Sequence, residues 1–109
     1  MEYLFIMEEE ALYNLIGKEI PGAEQSQMFG KPCFKINGKA FVCFFQKEMV
    51  FKLNGDFHSE ALNLEGAHLF DPSGKGRAMK EWVQLPYRHS DKWNIFAVHA
   101  LHYVQNSTK

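Results

Sequence analysis

Two histidines three residues apart, two cysteines and one glycine-rich basic loop are the features of this chain whose residue types and spacing could do chemistry. His99 and His102 have a spacing that, on a helix, can bring two imidazoles to one metal ion. No His-Glu-x-x-His pattern and no third ligand at a telling distance accompany them. A solvated helix face, or an interface shared with Ile95, is the simpler reading. The loop Ser73-Gly74-Lys75-Gly76-Arg77 has glycines that let backbone N–H groups converge on an anion, and Lys75 and Arg77 add charge. It lacks the Lys-Ser or Lys-Thr spacing of a P-loop. Together with Lys80 and Arg88 it is a candidate contact for phosphate, on nucleic acid or on a small ligand; the alternative is a flexible basic turn between strands. A catalytic thiol at Cys33 or Cys43 would need a nearby base and exposure, and the sequence supplies neither. His58, His68 and His89 are isolated and read as surface or capping residues. No catalytic residue, cofactor or metal site is assigned.

The elements that must carry these residues follow from periodicity. Ala11, Leu12, Leu15, Ile16 and Ile20 recur at helical spacing, with Glu8, Glu9 and Glu10 where they complement the helix dipole. Gly17 weakens the end of this helix and Pro21-Gly22 stops it. Three strands are expected next: Pro32 to Ile36, Lys39 to Gln46 and Met49 to Leu53. Asn37-Gly38 joins the first two as a type I′ hairpin. Asp56 can cap a short helix through Leu64. His68 to Phe70 and Met79 to Leu85 read as strands around the turn-rich segment 71–76. Trp93, Phe96, Ala97, Ala100, Leu101 and Val104 form one helical stripe, with Ser90 as its expected N-cap. The order α-β-β-β-α-β-β-α predicts an α+β fold of two layers on an antiparallel sheet.

An unbroken two-residue hairpin at Asn37-Gly38 would set Cys33 opposite Val42 and Phe34 opposite Phe41. Cys33 and Cys43 would then point to opposite faces, which disfavours a disulfide or a shared metal. One face would carry Phe34, Ile36, Phe41, Cys43, Phe45 and Val50. The other would carry Cys33, Val42, Phe44, Met49, Phe51 and Leu53. With both faces apolar, either helices or a partner should cover each. Lys35 would fall on one face and Lys39 and Lys52 on the other, so no single basic face would form.

The composition sets outer bounds. The chain has 109 residues, 46% of them hydrophobic and 23% charged, which fits one globular domain over 1–109. Ten Phe raise the aromatic share to 15%, which implies a well-filled core. A disordered tail, a collagen-like chain and a disulfide scaffold are excluded. The net charge is −1, but it alternates: negative over 1–24, positive over 31–52, negative over 56–71 and positive over 75–92. The longest apolar run, Ala40 to Phe45, has six residues, far short of the ~18 a membrane helix needs. Tyr3 to Met7 is a short apolar stretch followed by three Glu, unlike a secretory signal. A cytoplasmic protein with reduced thiols is expected.

Several motifs together resemble one family. They are Met28-Phe29-Gly30, Ile36-Asn37-Gly38-Lys39-Ala40-Phe41, Val50-Phe51-Lys52-Leu53, Phe70-Asp71, Gly76-Arg77-Ala78-Met79-Lys80 with Trp82-Val83, and a last helix with Trp93 and Ala100. In this order they resemble the TfoX/Sxy N-terminal domain, near the YjbR/MmcQ-like proteins, over about residues 24–104. Lys31 stands where the family has a second Gly, and Ala78 where it has Pro. The resemblance implies a secretion-chaperone-like α+β domain of bacterial origin. It also implies a regulatory role in natural competence, exercised with the cAMP receptor protein at promoters rather than as an enzyme. Regulators of that kind carry a second, helical domain, and these residues correspond to the first. Three functions are thus expected in order. The first is a non-enzymatic module binding a protein, such as a transcription factor or a second copy, through a sheet face or the last helix. The second is weak nucleic-acid contact through Lys75, Arg77, Lys80 and Arg88. The third is a small-ligand protein. No membrane association is expected.

Overall fold

Tight turns organise the sheet. The computed structural model describes residues 8–107. Strands β1 (Glu24–Met28), β2 (Lys31–Ile36), β3 (Lys39–Phe45) and β4 (Glu48–Lys52) follow one another through two-residue connections. The connecting pairs are Phe29-Gly30, Asn37-Gly38 and Gln46-Lys47, and all six residues have positive φ. That is the type I′ pattern, whose twist matches that of the flanking strands. Only Asn37-Gly38 advertises it. Gln46 and Lys47 hold left-handed conformations that side chains disfavour.

After β4 come α2 (Gly55–Leu62), β5 (His68–Phe70) and β6 (Met79–Leu85), then a 3-10 turn (Tyr87–Lys92) and α3 (Trp93–Asn106). Helix α1 (Glu9–Lys18) precedes the sheet. All strand pairs are antiparallel, in the order β1-β2-β3-β4-β6-β5. The fold is α+β, as expected, with one strand more than the sequence suggested. Strand β1 is polar (Glu24-Gln25-Ser26-Gln27-Met28) and carries no apolar alternation. It is an edge strand, where polar residues suit the unpaired side and discourage edge-to-edge pairing. Tyr3 to Met7 lie outside the described residues.

The register corrects the expected sheet faces. Ile36 pairs with Lys39 and Lys35 with Ala40, as the turn dictates, but the pairing shifts between Phe34 and Lys35. Phe34 then faces Val42, and Cys33 faces Cys43. Phe41 is the extra residue of a β-bulge, which reverses the expected parity beyond it. The two cysteines therefore share a face and are direct cross-strand neighbours. Both are free and buried, and burial pushes both thiols up from their ordinary range. Phe34, Ile36, Phe41, Val42, Phe44, Met49, Phe51 and Leu53 all join the core shared with the three helices. Cys33, Cys43 and Val50 belong to a second cluster with Phe70 and Trp82, against which Phe45 packs. Strand alternation puts Lys31, Lys35 and Lys52 on this second face as well, whereas Lys39 is on the helix side.

On the second face Phe70 packs over the strands. Phe70 lies 5.3 Å from Phe45 of β3 and 6.4 Å from Trp82 of β6, ring centre to ring centre. Those strands flank β4, so Phe70 reaches across Val50. A shift in pairing between Leu69 and Phe70 permits this turn inward.

On the helix side, α1 buries Tyr13, Ile16 and Gly17, while Leu15 is exposed. The expected stripe through Ala11 and Leu15 is thus rotated toward Tyr13, whose ring packs on Phe34 and Phe44. Ile20 is buried just beyond the helix end. Gly17 is required by packing: a Cβ there would fall inside the Phe34 ring. Two expected caps also move. Asn54, rather than Asp56, occupies the N-cap position of α2, and Ser90 lies inside the 3-10 turn that precedes α3. Trp93 and Ala100 anchor α3 in the core, both fully buried.

Gly17→Ala should destabilise the domain by about 1–3 kcal/mol, the range for overfilling a packed core. Denaturant unfolding measures this; an unchanged midpoint would contradict the Gly17–Phe34 contact.

Candidate functional site

Helix α3 turns Trp93, Phe96, Ala97, Ala100 and Val104 to the sheet, leaving Ile95, His102 and Asn106 outside. Short α2 buries only Ala61 and turns Phe57 toward α3. The Phe57 ring stacks on His99 at 3.5 Å between centres and 16° between planes. Phe96 meets His99 edge-on from the core side at 6.3 Å. These two contacts hold the His99 imidazole half-buried at the seam between the helices. A groove of about 280 Å³ runs along it, lined by Asn54, Phe57, His99, His102, Tyr103 and Asn106. Ile95, one helical turn before His99, is 55% exposed and Phe57 is 40% exposed.

Hydrogen bonds tie this seam to the sheet. The Tyr103 hydroxyl donates to Glu81 Oε2 at 2.9 Å, and Glu81 pairs with Lys52 at 3.7 Å. Partial burial, then the hydrogen bond and negative charge of Glu81, push the Tyr103 phenol up from its ordinary value. His58 Nε2 lies 2.8 Å from the Lys80 carbonyl, joining α2 to β6. The structure thus places Ile95, His99 and His102 on one surface. It adds Phe57, which the sequence reading passed over; an aromatic on a short, mostly polar helix was the available signal. Among the described residues no group of three or more His, Cys, Asp or Glu could hold a metal ion.

The glycine-rich loop is occupied by its own anion. Asp71 Oδ1 accepts from the Ser73 and Gly74 amides, both at 3.1 Å, and from the Ser73 hydroxyl at 2.7 Å. Its Oδ2 accepts from the amides of Gly76 at 2.8 Å and Arg77 at 3.2 Å. The Lys75 amide donates to Ser73 Oγ at 3.1 Å. A nest of N–H groups does converge on a negative charge, as the sequence suggested. That charge is Asp71, so anion contact here would rest on side chains. The Ser73 hydrogen bond and the loop amides hold the Asp71 carboxyl below its usual range. Phe70-Asp71 and Gly76-Arg77, separate motifs in the sequence, are thereby joined.

The four basic candidates do not gather. Lys75, Arg77 and Lys80 are exposed near the start of β6. Arg88 lies past the far end of that strand and pairs with Glu65 at 3.2 Å. The length of β6 separates them, roughly 20 Å at ~3.3 Å per residue. The aromatics of the second sheet face are also poorly placed to stack bases: Phe70 and Trp82 are buried within the chain itself. No helix among the described residues is long and apolar enough to cross a membrane.

Comparisons of the chain with protein-family models, with curated proteins and with solved structures find no match.

Asp71→Asn should loosen the loop, because an amide nitrogen would replace the oxygen facing the Gly76 and Arg77 amides. Hydrogen exchange at residues 73–77 should accelerate at neutral pH. A carboxyl lowered by folding stabilises above its unfolded value and loses that effect as pH falls through its folded one. The difference in melting temperature between wild type and variant should therefore be present at pH 7 and vanish below the usual carboxylate range. Equal exchange rates in the two proteins would contradict the assignment.

Proposed function

We propose that this domain is a non-enzymatic protein-interaction module, regulatory in role, that docks a protein partner on the seam between α2 and α3. The observation that carries the reading is the surface formed by Phe57 stacked on His99, with exposed Ile95 one turn away. Apolar side chains framed by imidazole, amide and phenol groups suit a protein surface that offers an apolar side chain and hydrogen-bonding groups. The motif resemblance to the TfoX/Sxy N-terminal domain supports a regulatory context. The sheet faces, the other docking surface considered, are filled within the chain. Nucleic-acid contact is the weaker reading, because its four bases are dispersed and the loop amides are already bonded.

The test is affinity capture from native lysate after nuclease treatment, comparing wild type with Ile95→Glu, Phe57→Ala and the double variant Lys75→Glu with Arg77→Glu. A partner should survive nuclease, fall at least about tenfold with either seam variant, and be unaffected by the loop variant. If the captured protein is the chain itself, sedimentation should show a dimer that Ile95→Glu dissociates. Capture that needs nucleic acid, or that ignores both seam variants, would overturn the reading.

A further inference from the structure

The chain carries two Asn-Gly pairs, Asn37-Gly38 and Asn54-Gly55, and the fold holds them differently. An asparagine followed by glycine is open to attack on its own side chain, because glycine has no Cβ to block the approach of its amide nitrogen. Asn37 is held in the left-handed conformation of a tight hairpin turn, with φ 53° and the Ile36–Lys39 pair closing it. Asn54 stands between β4 and α2 in extended backbone, φ −144° and ψ 167°, as the N-cap residue. It is exposed, and its side chain makes no capping hydrogen bond.

Gly55 is the first residue of α2, where a helix leaves its N–H groups without an intrahelical partner. Its φ is +60°, and apart from its chain neighbours and its own helix backbone no atom lies within 4 Å of the place a Cβ would take. Nucleophile and target are thus adjacent and unobstructed. Rotation about the Cα–C bond of Asn54 brings the Gly55 nitrogen toward Cγ. The contact this releases is the bond from the His58 amide to the Asn54 carbonyl, long at 3.3 Å. The same approach at Asn37 requires opening a hairpin.

We propose that Asn54 is a site of spontaneous deamidation. The Gly55 amide gives up its proton to hydroxide, and its nitrogen attacks Asn54 Cγ. The new N–Cγ bond closes a five-membered imide, while the side-chain nitrogen takes up a proton and leaves as ammonia. Water then opens the imide at either carbonyl, leaving aspartate or isoaspartate. Asn54 lines the α2–α3 groove with Phe57, His99 and His102, so the product puts a carboxylate there. Its regulatory consequence rests on the docking reading of that seam. The new charge weakens docking, because a partner's apolar side chain must strip water from it.

The test is peptide mass spectrometry of the purified protein during incubation at neutral and mildly alkaline pH, with the denatured chain as reference. In the folded protein Asn54 should gain one mass unit about tenfold faster than Asn37, the factor expected when one structural hydrogen bond adds to the barrier at the hairpin. Conversion should rise with pH, since hydroxide starts it, and isoaspartate should be found at position 54. Asn54→Gln, which needs a larger ring, should remove the change from that peptide. Retention of Asn54 in the folded protein while it converts in the denatured chain would overturn the proposal. So would conversion of Asn37 at an equal or higher rate. This measurement needs no partner, so it is decided apart from the docking reading. Affinity capture then compares wild type with Asn54→Asp. A fall of about tenfold is expected, the scale of one lost interface contact. Equal capture would overturn the regulatory consequence, and capture by neither protein would overturn the docking reading alone.

Discussion

One extra residue in β3 sets the geometry on which the rest of the domain depends. The bulge at Phe41 lets two consecutive side chains, Phe41 and Val42, enter the helix-side core opposite the single residue Phe34. Beyond it every side chain of the pair changes partner, since strand alternation has a period of two. Phe34 is thereby placed under α1, where only a glycine at position 17 leaves room for its ring. Cys33, Cys43 and Val50 are turned to the other side, where Phe70 can close over them. Without the bulge, Phe34 and Val42 would lie on opposite faces and neither core would close as observed.

The two faces are filled by different means. On one side three helices bring Tyr13, Ile16, Ala61, Trp93 and Phe96 onto the strands. On the other, a single aromatic and the turn that follows it do the work of a layer. Asp71 gives that turn its shape, gathering four backbone amides and one hydroxyl around one carboxylate. Capture of these donors also explains why a loop so rich in glycine and positive charge is a structural element first. The turn also walls a cleft together with Phe45, Gln46, His68 and Gln84.

Elements with strong local signals were legible in the sequence. Asn37-Gly38 marked its hairpin, the alternation from Met79 to Leu85 marked β6 with the observed limits, and the stripe from Trp93 to Val104 marked α3. Features decided by long-range packing were not. Strand β1 has no apolar pattern because its stability comes from main-chain pairing with β2. The bulge leaves no local trace, so the sheet faces were assigned with the wrong parity. Leu15 fits the helical spacing better than Tyr13, yet Tyr13 is the residue the sheet accepts. For the candidate seam, the spacing of Ile95, His99 and His102 was readable, but the stacking of Phe57 depends on how α2 meets α3. Gln84 could be placed on a strand face by alternation, but its burial and its bond to Glu48 come from the neighbouring strands.

The proposed docking seam between α2 and α3 lies over the helix side of the sheet. It depends on the face parity that the bulge imposes, since that decides which aromatics fill the helix-side core. The most direct measurement is interstrand backbone nuclear Overhauser effects across β2 and β3 in the labelled protein. The bulged register predicts contacts joining Cys33 to Cys43 and Phe34 to Val42. Contacts joining Cys33 to Val42 and Phe34 to Phe41 would contradict it.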